Sequence, residues 1–377
     1  MPSPLSQTQL VDWLRLIRSE NVGPATFRKL LNKFGSASAA LDALPYLSSR
    51  GGKSSTLKAP SKSEIEDEIG ALYKFGAKII TVADTEFPEL LKHISSSPPI
   101  LTILGNENAF SEKSIAIVGA RNASSAGMRL TKIISSDLSD AGYKIISGLA
   151  RGIDTSAHKA SLEGGTIAVL AGGIDNIYPS ENINLAKEII GNGGALISEM
   201  PLGTTPRAQD FPRRNRIVSG ISKGVIVIEA AKRSGSLITA RLALEQNREV
   251  FAAPSSPLDP RSAGPNSLIQ QGASLITNAQ DVLDGLAHSS NHNNMLFEEA
   301  EILDYSDLEN SNDFANDNPD SSEREKLLSA LSVTPISVDE IIQQTKIPTL
   351  LIQTMLLELD IAGRIEWASG QLVYLKE

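Results

Sequence analysis

The chain has 377 residues, of which 41% are apolar and 21% charged, enough for two or three domains with a sizeable core. It contains no cysteine, and only one pair among its four histidines (His288 and His292) stands at helical spacing, which excludes disulfides and thiolate metal sites and leaves no cofactor expected. The net charge of −9 argues weakly against a polyanionic ligand, and no run approaches the ~18 apolar residues of a membrane helix, so a cytoplasmic protein with no membrane partner is expected.

In the first segment Leu10, Trp13, Leu14, Leu16 and Ile17 recur at helical spacing. Asn21-Val22-Gly23-Pro24 breaks that helix, and Thr26 to Phe34 resumes the pattern. This predicts a small helical domain over 1–76, of the SAM or helix-hairpin-helix type. Contact with DNA backbone and plain packing are both open to it.

From Lys78 the texture changes to short, β-branched apolar runs: 78–82, 100–104, 115–118, 144–147, 166–170, 195–198, 225–228, 250–252 and 274–277. Most are apolar throughout, as strands covered on both faces are, and helical segments lie between many of them. The predicted fold class is α/β, an extended Rossmann-like, doubly wound and mostly parallel sheet over 77–286. Its ligand crevice belongs at the carboxyl ends of the strands.

Residues 287–322 hold nine acids and no Lys or Arg, which reads as an acidic flexible linker. Three helices and a hairpin then predict a winged-helix domain over 323–377. Its third helix, from Thr349 to Ala362, carries no cation, which places protein contact ahead of groove reading.

Four loops carry the chemistry. Val118-Gly119-Ala120-Arg121 follows a strand and precedes a helix near Ser125, a place where a phosphate can meet backbone N–H groups and the positive end of a helix dipole. Arg121 adds a planar donor fork, with a surface ion pair as the plain alternative. The G-x-G-x-x-G fingerprint and its acid are missing, which disfavours a nicotinamide cofactor. Ser147 to Asp154 repeats the strand-to-helix turn with Gly148, Arg151 and Gly152, and Asp154 is expected to be the helix N-cap. Leu170 to Asp175, with Gly173, adds a third such turn. Ser234, Gly235 and Ser236 open a helix after the strand at 225–228, either as an anion contact or as a simple cap.

The strongest stretch is Phe211 to Gly220, within Thr205 to Arg241, where eight bases face only Asp210 and Glu229. Helical spacing predicts a cationic ridge of Arg213, Arg216, Gly220 and Lys223, with Arg214 and Asn215 beside it. Phe211 is either a platform for a base or a core anchor.

Taken in order, Ile115 to Arg121, Ser147 to Asp154, Ala171 to Asp175 with Tyr178-Pro179, Phe211 to Gly220 and Ser234 to Ala240 resemble the motifs of the DNA-processing DprA (Smf) family. The likeness is close over 87–283 and looser in the flanking domains. It implies a core that holds single-stranded DNA, forms a homodimer and loads the recombinase RecA during natural transformation, with no catalytic reaction of its own. By that resemblance Arg121 holds a phosphate, Phe211 lies near a base, and Arg213, Asn215, Arg216, Ser234, Gly235 and Ser236 line the groove. Ala208 and Ser180 stand where some relatives carry lysine, which implies a less basic groove or the use of Arg207. Pro265 to Ile276, with Leu268, Ile269, Leu275 and Ile276, resembles the region of dimer and RecA contact, or is core. The alternative is a nucleotide-processing enzyme like the phosphoribohydrolases; their P-G-G-x-G-T-x-x-E is replaced here by Ser-Gly-Ser-Leu-Ile-Thr-Ala-Arg, without the glutamate.

Overall fold

The computed structural model describes residues 4–53, 57–110, 113–293, 319, 321–368 and 372–376. They fall into two compact units, one from Met1–Asp67 with Asp304–Glu377 and the other from Glu68–Leu303.

The first unit begins with helices α1 (Gln7–Ile17), α2 (Pro24–Phe34) and α3 (Ala37–Arg50), followed by α4 (Lys62–Phe75), which runs on into the second unit. Ser6 caps α1 in a reciprocal capping box with Gln9. Gly23 and Pro24 start α2, and Gly35, at a φ of 74°, ends it. Trp13 meets Phe27 edge to face at 5.2 Å, and Leu14, Leu16, Leu30 and Leu44 are buried.

The second unit contains β1 (Lys78–Thr81), α5 (Glu89–Lys92), β2 (Ile100–Gly105), β3 (Ser114–Val118), α6 (Ser125–Asp140), β4 (Lys144–Ser147), α7 (Ile153–Ala160), β5 (Thr166–Val169), α8 (Ile183–Gly191) and β6 (Ala195–Ser198). It continues through α9 (Asp210–Ile221), β7 (Gly224–Val227), α10 (Gly235–Glu245), β8 (Glu249–Ala252), α11 (Ala263–Gln270), β9 (Ser274–Leu275) and α12 (Ala279–Asn293). Every predicted strand is present, and their order in one sheet is β1-β2-β6-β5-β4-β3-β7-β8-β9. The run from β6 to β9 is parallel, whereas β2 pairs antiparallel with both β1 and β6. Ile115, Ile117, Ile145, Ile226 and Phe251 pack on one face with residues of α6, α7 and α12, and Ala168 and Leu196 pack on the other with residues of α8. Helix α12 reaches Asn293, so residues 287–293 of the expected linker are helical; 294–318 and 320 lie outside the described residues.

Returning to the first unit, α13 (Ser321–Ala330), β10 (Ile336–Ser337), α14 (Val338–Thr345), α15 (Thr349–Ile361), β11 (Ile365–Ala368) and β12 (Leu372–Leu375) form the winged helix. Its small sheet has the order β10-β12-β11, one short strand more than the predicted hairpin. Among the described residues no helix is long and apolar enough to cross a membrane.

The position of β3 locates the site. Its neighbours are β4 on one side and β7 on the other, so the chain leaves β3 and β7 in opposite directions and opens a crevice at their carboxyl ends.

Candidate nucleic-acid interface

A cleft of about 700 Å³ occupies that crevice, lined by Gly119, Arg121, Asn122, Gly148, Phe211, Arg214, Asn215, Arg233, Ser234, Gly235, Ser236 and Arg261 among others. A second cavity of about 420 Å³ adjoins it across Arg121 and Phe211 and is also lined by Arg151 and Tyr178. Loops after β3, β4, β7 and β8 therefore meet on one rim of the sheet.

Arg121 is exposed at the junction of the cavities, its guanidinium carbon 5.3 Å from the centre of the Phe211 ring. Phe211 in turn meets Tyr178 edge to face at 5.5 Å, and Tyr178 is 48% exposed. Two aromatic faces thus stand beside a cation without a carboxylate partner among the described residues. Asn215 donates Nδ2 to the carbonyl of Gly235 at 3.2 Å, which ties α9 to the start of α10. Gly235 is exposed, and a β carbon there would meet nothing within 4 Å, so the amino end of α10 opens onto the cleft. Ser234 accepts from the N–H of Ser236 at 3.3 Å, and the two hydroxyls share a hydrogen bond of 2.7 Å.

Other expectations need correction. The amino end of α6, read as a phosphate site, is filled by the chain's own Glu229, whose carboxylate accepts from the N–H of Ser124 at 2.9 Å and from its hydroxyl at 2.5 Å. Helix dipole and free N–H groups do attract an anion there, and the anion is intramolecular. Gly119 serves close packing, since a β carbon would lie 2.6 Å from Cγ1 of Ile153. At Gly152, where φ is 75°, a β carbon would lie 2.3 Å from the carbonyl oxygen of Ala120. Gly173 lines neither cavity; its N–H donates to the carbonyl of Thr204 at 2.9 Å.

The ridge on α9 is also differently made. Arg214 is buried and donates to the carbonyls of Gly148, at 2.8 Å, and Val169. Burial pushes its pKa down to about 10, against the opposing pull of Asp154. Asp154 is not the N-cap of α7 but lies in its first turn, buried, accepting from the N–H groups of Gly148 and Ala150 at 3.1 and 3.2 Å. Burial raises its pKa, with Arg214 opposing. Arg216 is paired with Glu199 and mostly covered, and Gly220 sits under Leu91. Lys223 falls beyond the end of α9. Only Arg213 of the expected ridge stays exposed within the helix, and Arg151 is paired with Glu181 at 3.1 Å.

Sequence reasoning left Tyr178, Arg233 and Arg261 out of the site. Arg233 stands in the basic stretch already noted, and Arg261 follows strand β8, so the same strand-end logic could have found both. The contact between Tyr178 and Phe211 spans 33 positions and had no local signal.

This doubly wound core, with a cationic and aromatic cleft at its switch point, a helical start and a winged-helix end, defines a class of DNA-processing proteins. Three family models match in chain order: the DprA-like N-terminal HHH domain over 7–71, DNA recombination-mediator protein A over 78–287 and the DprA winged helix domain over 314–371. The chain is 42% identical over 297 residues to Protein Smf of Escherichia coli, covering 78% of this chain and 76% of that one. It is 42% identical over 238 residues to DNA processing protein DprA of Bacillus subtilis, covering 60% and 80% of the two chains. The structure of DprA from Streptococcus pneumoniae is similar, with a TM-score of 0.61 at 31% identity over 75% of this chain and 98% of that one. A structure of DprA from Helicobacter pylori that concerns its single-stranded DNA binding mode has a TM-score of 0.52 at 28% identity, over 56% and 96%. The chain belongs to the DNA recombination-mediator protein A family, known as DprA or Smf.

Proposed function

We propose that this chain binds single-stranded DNA along the two joined cavities and, as a cytoplasmic homodimer, loads RecA onto incoming strands during natural transformation. The observation that carries the binding is the triad at the junction: Arg121 against Phe211, and Phe211 against Tyr178. A guanidinium for a phosphate beside aromatic faces for bases suits an unstacked strand, because stacking is available only where bases are splayed from a duplex. The open amino end of α10 and Arg233 extend the phosphate track. The carboxylates that line the cleft are engaged elsewhere, Asp154 beneath the loops and Asp259 with Arg261 at 2.8 Å. That supports a binding protein over a nucleotide hydrolase, as does Leu242, three positions after Thr239, where the hydrolases' motif has its glutamate. The RecA and transformation roles, and the dimer, rest on the family.

Fluorescence anisotropy with labelled oligonucleotides of several lengths, at two salt concentrations, tests the binding. Single strands bind more tightly than duplex. Arg121→Ala lowers affinity about tenfold and reduces the salt slope by about one, and Phe211→Ala removes about 1 to 3 kcal/mol without altering that slope. Equal affinity for both DNA forms, or an unchanged Arg121→Ala, defeats the reading. Nucleation of RecA filaments on covered strands, followed with and without this protein, tests the loading role separately.

A further inference from the structure

The third helix of a winged helix reads duplex DNA by turning its outward face to base edges in the major groove, with cations on the flanking phosphates. In this chain that face is taken. One stripe of α15, Ile352, Met355, Leu356 and Leu359, packs into the core of the winged helix itself. The opposite stripe, at the same helical spacing, is Thr354, Leu357, Glu358 and Ile361, and the last three are 4%, 1% and 0% exposed. A helix apolar on both sides is a helix buried on both sides.

What covers the second stripe is the helical domain at the start of the chain. Lys33 donates to the hydroxyl of Thr354 at 2.9 Å, Asn21 to the carbonyl of Ile361 at 3.1 Å, and Thr26 to the carboxylate of Asp360 at 2.8 Å. Glu358 is held between Arg50, at 3.1 Å, and Arg324, which also donates to the carbonyl of Arg50 at 2.9 Å. At Gly51 the fit admits no side chain, since a β carbon would lie 2.1 Å from the carbonyl oxygen of Glu358. The wing is engaged as well, with Lys29 3.9 Å from the centre of the Trp367 ring. A buried acid on the outward face, satisfied by arginines, is chemistry for a protein partner and repels phosphate.

We infer that the winged helix of this chain is a protein-docking module, its third helix dedicated to the helical domain that opens the same chain, and that it does not read duplex DNA. Glu358 is the residue on which the dock converges, because Arg50 of the helical domain and Arg324 of the winged helix both pair with it.

The 377-residue chain has no cysteine, which permits a direct test. Spin labels at Ser49→Cys and Gln353→Cys, exposed positions on α3 and α15, report the distance between the two elements. The expected result is one narrow distribution, unchanged when a duplex is added. Gly51→Leu, which drives a side chain into α15, broadens it and raises amide exchange over 354–361 at least tenfold, while duplex affinity stays within twofold. If Gly51→Leu loses helicity by circular dichroism, Glu358→Gln replaces it, and the same two readings decide. A broad distribution in the unmodified chain overturns the inference, as does a narrow one that survives the opening variant. So does a tenfold gain in duplex affinity on opening, which makes the helical domain a mask over a groove reader.

Discussion

At Arg214, a side chain expected to meet DNA instead holds the site's floor together. Its planar fork reaches carbonyls of two loops, at Gly148 and Val169, and a lysine, with a single ammonium, cannot serve both in the same geometry. Arg214→Lys is expected to destabilise the fold by about 2 to 4 kcal/mol in urea denaturation, because a buried carbonyl and Asp154 lose their partner. His158, fully buried behind the same loops, supplies a pH dependence. The hydroxyl of Thr166 donates to the carbonyl of Ile145, so Nδ1 of His158 carries its proton toward Thr166 at 2.8 Å and Nε2 is bare. Burial, with Arg214 adding to it, pushes its pKa down from 6.5 to about 3. The unfolded chain then binds the extra proton, so this contribution is complete above pH 6.5 and is lost as the pH falls toward 3. The urea midpoint of the native chain should drop between pH 7 and pH 5, and His158→Gln should flatten that slope; an equal slope in both refutes the assignment.

Among the elements, helices α6 and α10 start alike, after strands and with serine caps, yet only α10 faces the cleft. Serine and glycine in a strand-to-helix turn predict a helix start, and both starts are where they were expected. Which start is left for a ligand depends on Glu229, 105 positions from Ser124, and nothing near Ser124 announces it. Glu229→Gln keeps the shape and removes the charge from the dipole, so a loss of about 1 to 2 kcal/mol in thermal denaturation is expected, with single-strand affinity not reduced. A fall in affinity equal to that of Arg121→Ala shows instead that Glu229 shapes the binding surface. Helix α9 teaches the same lesson. Spacing placed Arg213 and Arg216 on one face, but Glu199, brought in after β6, draws Arg216 away, and Leu91 covers Gly220.

For the whole molecule, the edge strand β9 leaves Leu275 51% exposed, while its neighbour Ile276 is core. If the proposed dimer uses this edge, Leu275→Arg should halve the mass seen by light scattering without lowering the melting temperature by more than a few degrees. A dimer that persists moves the interface elsewhere. All nine strands of the large sheet were readable from the chain, the inner ones because a strand buried on both faces must be apolar throughout and needs no distant partner to declare it, while the edge strands β1 and β9 are partly exposed. The helix starts and the candidate loops were readable for the same local reason. Strand order, the antiparallel insertion of β2 beside β6, and the gathering of both chain ends into one unit were decided by tertiary packing. So was the sorting of the arginines into floor, ion pair and open cleft. A charge's role depends on what lies across from it in space, and those partners, Glu199, Glu229 and the carbonyl of Val169, stand far away along the chain.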